Sequence, residues 1–229
     1  MREIWIGIKG ALDLLLSFDH EVYSVILLSI YISLTATFIS TLLAVPMGIF
    51  LGIVNFPFKQ IVIRGLYTFM SLPPVIAGLV VFLLISRKGP LGFLKLSFTP
   101  AAMIIAQICL IIPIIMGIVY NGTKEKGESV RMVGKTLGAN KIQTLILLVR
   151  ELRVNLFTAI ITGYGRATSE VGAVMIVGGN IKGHTRVMTT SIAMLQNMGD
   201  YDMAIALGIV LLGISFGMNG ILYHFQQGE

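Results

Sequence analysis

The chain has 229 residues, 55% hydrophobic and only 12% charged, with a formal net charge of +6. That apolar fraction exceeds the roughly 45–50% of soluble domains, so the composition is that of an integral membrane protein. The single cysteine, Cys109, has no partner in the chain, which excludes an intrachain disulfide; within its apolar run it reads as small core packing. The basic residues are separated by long apolar segments and cluster in loops, as membrane topology requires, so nucleic acid is excluded as a partner.

Residues 1–20 place Ile4, Ile8, Leu12 and Leu15 at helical spacing, but Lys9, Asp13 and two glycines interrupt a run too short to cross a bilayer. An amphipathic helix lying in the interface is expected, since Glu3 and Asp13 stand where a signal peptide carries positive charge. Residues 21–229 are then the transmembrane domain. Asp19 suits the N-cap of a first span over 22–54, which holds Pro46 and a hydroxyl band of Ser33, Thr35, Thr37, Ser40 and Thr41. Such hydroxyls either pack between helices or line a pathway.

Asn55-Phe56-Pro57 ends that span, and Lys59 and Arg64 mark a loop before a second span over 65–86. Its Leu72-Pro73-Pro74 step breaks the hydrogen-bond ladder, because two successive residues lack an amide donor. Broken backbone at membrane depth needs protein or a water-filled cavity to satisfy its carbonyls. Pro73 and Pro74 are therefore hinge or pathway-lining candidates, with a plain kink as the alternative. Arg87, Lys88 and Lys95 occupy the next loop, and Thr99-Pro100 reads as N-cap and first helical residue of a third span ending near Tyr120.

A loop over 121–153 follows, with Lys124, Lys126, Arg131, Lys135, Lys141, Arg150 and Arg153 against Glu125, Glu128 and Glu151. The positive-inside rule makes it cytoplasmic, although Arg2, Lys9, Lys182 and Arg186 then join the loop at 87–98 outside. Gly138 suits the left-handed position that ends a helix, and Asn140 with Gln143 suits a capping box at the start of the next. A helical hairpin results, with Met132, Val133, Leu137, Ile142 and Leu145 on an apolar side. It is either a surface-lying amphipathic pair or a rigid plug for a cytoplasmic partner. Gly134-Lys135-Thr136 resembles the tail of a phosphate-binding loop, but Ser129 stands where its first glycine is required and no strand precedes it. The chain carries no ATPase site of its own. A fourth span is expected over 155–177 and a fifth over 203–223, the latter with Gly208, Gly213, Gly217 and Gly220 for close helix approach. An external loop at 178–202 joins them, with a short helix at 187–195.

Gly138-Ala139, in a cytoplasmic loop between the third and fourth of five spans, resembles the loop of binding-protein-dependent ABC importer permeases. Met132-Val133-Gly134 replaces the usual Glu-Ala-Ala, and Arg150-Glu151 the usual Leu-Pro. The resemblance covers about 22–225. The molybdate/tungstate branch is most similar, through Ser169-Glu170-Val171-Gly172-Ala173, and the stretch from Val177 to Arg186 resembles tungstate permeases. The resemblance implies an all-α, type I permease fold in a prokaryotic inner or plasma membrane, in which two permease copies form a homodimer. It implies two ATPase subunits that bind ATP and Mg, none being held by this chain, and an external oxyanion-binding protein. Met132, Lys135, Thr136, Leu137, Gly138, Ala139 and Asn140 would couple to the ATPases.

Arg166 and Glu170, four residues apart deep in the fourth span, share a helix face. Charges at that depth are costly and functional by default. With Ser169 they are candidates for the pathway or gate, the alternative being a neutralising pair that pins packing. Lys182, His184 and Arg186 form an external positive cluster for the binding protein, or a solvated loop. An intramembrane hydrolase is disfavoured because His20, His184 and His224 lie outside the spans. A stand-alone channel or secondary transporter is the remaining alternative, and it would show repeated halves.

Overall fold

The computed structural model describes residue 16 and residues 20–227, and every regular element among them is helical. The interfacial helix expected over 1–20 falls, but for Leu16 and His20, outside the described residues, as does Asp19. Three described helices are long and apolar enough to cross a membrane, and a bent pair makes a fourth crossing if counted as one span.

The bundle is built on α1 (His20–Ile53) and α4 (Pro100–Thr136), which run parallel. Ile32 packs in one core with Ala102, Met103 and Ala106. Further along, a Cβ on Gly48 would come within 2.9 Å of Val119, and Gly52 lies against Thr123. In lipid, where apolar surface gives no preference for protein, such small residues allow the backbone approach that holds helices together. Ser33, Thr37 and Ser40 are buried in this packing, which places these three of the hydroxyl band in helix contact, while Thr35 and Thr41 are half-buried.

The second expected span is two helices, α2 (Lys59–Met70) and α3 (Pro74–Ile85), bent by 101°. The expected break at Leu72-Pro73-Pro74 is present, and its 101° bend is larger than a plain kink. The missing amides of Pro73 and Pro74 remove two consecutive ladder bonds, and the Leu72 N–H closes α2 by donating to Phe69 O at 3.2 Å. The bend opens an apolar groove lined by α1, α2, α3 and α4. Cys109 faces it and is exposed, which corrects its reading as core packing.

Thr99 caps α4 as expected, accepting the Ala102 N–H at 3.3 Å with Pro100 as first residue. The helix then passes Pro113 and Tyr120 without a break and continues to Thr136, so the third span and the first arm of the hairpin are one rod. No proline or left-handed residue interrupts 121–136. After α5 (Lys141–Glu151), the fourth expected span is also divided, into α6 (Arg153–Thr168) and α7 (Gly172–Gly178). Helix α6 lies antiparallel to α4, with Asn155 against Gly122 and Gly163 against Ile111 and Ile115. At the end of the bundle opposite the α4–α5 hairpin come a 3-10 turn (Gly92–Leu94) and α8 (Met188–Met198), close to its expected place. Helix α9 (Tyr201–Gln227) packs its first turns with α8 and the start of α1 around Val22, Val25, Met188, Leu195 and Leu207. The glycines at 208, 213, 217 and 220 have no neighbour within 4 Å of a Cβ position, so the close approach expected of them is not made among the described residues.

Candidate functional site

The two broken spans meet. A Cβ on Gly78 of α3 would come within 2.6 Å of Ala173 Cα in α7, so the helices cross with backbones almost touching. Beside the crossing, a Cβ on Gly172 would sit 2.9 Å from Val75 Cγ2 and 3.6 Å from Glu170 Oε1. Glu170 therefore lies where α6 stops, α7 starts and the proline break gives way to α3. Its carboxylate is buried, with 3% of the side chain exposed, and pairs with Arg166 at 3.2 Å. Oε1 also accepts the Ala173 N–H at 3.0 Å, giving α7 the acceptor that its first turn lacks. The expected pair thus forms, but across a helix end instead of along one helix face. Ser169 turns back, its hydroxyl donating to Gly165 O at 2.9 Å.

Arg166 is one-third exposed, so its guanidinium neutralises Glu170 at the edge of the buried corner. A buried carboxylate tied to such a guanidinium is a site of little net charge. The backbone of the break is tied down from two sides that sequence reasoning missed. Thr189 Oγ1 donates to Glu170 O at 2.7 Å, and Gln107 Nε2 donates to Ala167 O at 3.0 Å. Only the small pairs Ala77-Gly78 and Gly172-Ala173 hinted at the crossing.

At the opposite end of α4, the hairpin turns at Gly138, whose φ of +71° is open to glycine at little cost. The Gly138 N–H donates to Lys135 O at 3.1 Å and the Ala139 N–H to Gly134 O at 2.8 Å, a Schellman closure. Asn140 Oδ1 accepts the Gln143 N–H at 2.9 Å and Gln143 Oε1 accepts the Asn140 N–H at 2.8 Å, the expected capping box. Gly134 lets α5 pass close, because a Cβ there would stand 2.9 Å from Thr144 Oγ1. Lys126 and Glu151, 3.1 Å apart, tie the arms at the open end. Leu148 and Leu152 are buried, whereas Met132, Val133, Leu137 and Ile142 are exposed, Leu137 by 76%. The hairpin is a rigid continuation of a span with an uncovered apolar tip; Lys135 and Thr136 are exposed beside it.

The external cluster is not a free positive patch. Lys182 pairs with Glu21 at 2.7 Å and Arg186 with the same carboxylate at 3.6 Å. His184 is exposed. Glu21 had no assigned role in the sequence, and it fastens the loop to the start of α1. Thr185 closes that loop by donating to Gly178 O at 2.6 Å, and Ser29 Oγ accepts the Met188 N–H at 2.7 Å.

Residues 44–228 match the family described as the binding-protein-dependent transport system inner membrane component, and the chain belongs to that family. It is a transport permease subunit of the inner membrane, not an enzyme. It is 55% identical over 227 residues to a tungstate uptake system permease protein of Peptoclostridium acidaminophilum, covering 99% of this chain and all of the relative. A tungstate uptake system permease protein of Campylobacter jejuni is 34% identical over 98% of this chain and 94% of its own. A probable anion ABC transporter permease protein of Haloferax volcanii is 36% identical over 89% of this chain and 90% of its own.

Proposed function

We propose that this chain is the transmembrane subunit of an ATP-driven ABC importer for tungstate. The observation that carries the substrate is the end-to-end similarity to a tungstate uptake permease; the buried Glu170–Arg166 corner at the crossing of two breaks carries the mechanism.

In this reading the chain crosses the membrane five times, the bent α2–α3 pair and the broken α6–α7 pair each counting as one span. Two copies assemble around the pathway, and Gly213, Gly217 and Gly220, exposed on one side of α9 with nothing within 4 Å of a Cβ position among the described residues, suit helix contact with the second copy. Two ATPase subunits, which bind ATP and Mg, dock on the tip formed by Met132, Leu137, Gly138, Ala139 and Asn140, beside Lys135 and Thr136. Because α4 is unbroken from Pro100 to Thr136, a push at the tip is delivered along the rod to Gln107 and so to the end of α6. Breaks at Pro73-Pro74 and Ser169-Glu170-Val171 let the half-helices swing without rupturing regular ladders. Arg166 offers donors to the passing oxyanion, and Glu170 limits how tightly it is held. The loop from Lys182 to Arg186, including His184, meets the external oxyanion-binding protein.

Reconstitution with the cognate ATPase and binding protein tests this reading. ATP hydrolysis is expected to rise with tungstate above molybdate, sulfate and methionine. Stimulation by sulfate or methionine in preference to tungstate, or tungstate movement without the ATPase, would overturn it.

A further inference from the structure

Where the apolar runs of α1 and α4 end, α2 packs across them through Leu66, Tyr67 Oη donates to Asn121 Oδ1 at 2.7 Å, and the three helices line a cleft of about 960 Å³. Lys59, Arg64 and Lys124 line it together with Phe58, Tyr67 and Tyr120, and no carboxylate does. Lys59 is fixed in place, donating to Val54 O at 2.9 Å and Asn55 Oδ1 at 3.2 Å. Arg64 and Lys124 are exposed and form no ion pair among the described residues.

Depth identifies the occupant. Lys124 is the first charge of α4 after Pro100, at the end of an uncharged run of about 36 Å at 1.5 Å per residue, against a hydrocarbon core of about 30 Å. The cations therefore stand at headgroup level. Around them Phe58, which precedes α2, and Ile61 on α2 are exposed at the cleft. Phe58 does so in a left-handed conformation, φ 64°, that bulky residues avoid. We propose that the cleft binds the phosphate headgroup of an anionic phospholipid, with the acyl chains along the exposed face of α2. A free oxyanion leaving the pathway would use the same cations but has no need of that apolar rim.

The test is native mass spectrometry of the full chain released from nanodiscs of equal phosphatidylglycerol and phosphatidylcholine. The chain is expected to retain phosphatidylglycerol in preference. Each cation is worth about fivefold near an anionic surface, so R64Q/K124Q should lose about 25-fold of that preference and R64K/K124R should keep it. Lys124→Gln alone, a change at an exposed side chain, should lose about fivefold without disturbing the fold. No preference in the native chain, an undiminished preference in either glutamine variant, or displacement of the lipid by excess tungstate or inorganic phosphate would overturn the proposal.

Discussion

Glu170 is the residue on which most of the proposed gate converges, because one side chain neutralises Arg166, caps α7 and sits beside Val75 of the proline break. Glutamine keeps the shape and one acceptor; alanine keeps neither. Glu170→Ala should therefore reduce tungstate uptake and thermal stability more than Glu170→Gln, and equal, undiminished uptake by both would sink the gating role. Arg166→Gln leaves a buried carboxylate without its counter-charge, a loss of roughly 3 kcal/mol readable as a lowered unfolding temperature. Thr189 belongs to the same corner although it lies on α8, 19 residues along the chain from Glu170. Thr189→Val strips the Glu170 carbonyl of its side-chain donor at a cost of about 1–3 kcal/mol, whereas Thr189→Ser retains the bond. Uptake that falls in the valine variant and survives in the serine variant would place Thr189 as a positioning residue.

At the scale of elements, two glycines make opposite kinds of demand. Gly138 supplies a backbone conformation, so Gly138→Ala should cost about 1 kcal/mol and loosen the hairpin while leaving the bundle folded. Gly78 supplies space, and its alanine variant drives a methyl into the Ala173 backbone, an overpacking loss of about 1–3 kcal/mol that separates α3 from α7. Comparing ATPase stimulation in the two variants separates a damaged coupling tip from a damaged crossing. The hairpin was legible in the sequence because its turn is local chemistry: Gly138, Asn140 and Gln143 lie within six residues and cap each other. The crossing was not, since Gly78 and Ala173 meet only through tertiary packing. The break at Glu170 was hidden for another reason, as Arg166 and Glu170 have the spacing of an uninterrupted helix and the ion pair forms across the end of one. Likewise the third span was expected to end near Tyr120, where the charges begin, yet charge does not stop a helix that has no proline or left-handed residue over 121–136.

For the whole molecule, the loop after α7 and the Glu170 corner form one connected body. Glu21 holds Lys182 and Arg186, Ser29 holds the start of α8, and Thr189 on that helix holds the break. In the proposed reading, a binding protein pressing on this loop would act on Glu170 within a few hydrogen bonds. Arg186→Glu should lower binding-protein-stimulated ATPase activity several-fold. Glu21→Gln should do the same if Arg186 serves through the fastening, and should leave stimulation intact if Arg186 touches the binding protein itself.

The parallel pairing of α1 with α4 also bears on how such a chain is made. Two helices that enter the bilayer from the same side cannot be neighbours in a simple hairpin; everything from Asn55 to Thr99 must recross before Gly48 can meet Val119. Helix α1 therefore waits, with Thr37 and Ser40 open to lipid, for a mate that is synthesised much later. A nascent chain stalled just after α3 should accordingly remain a substrate for membrane insertases and quality-control proteases, and become resistant once α4 has emerged.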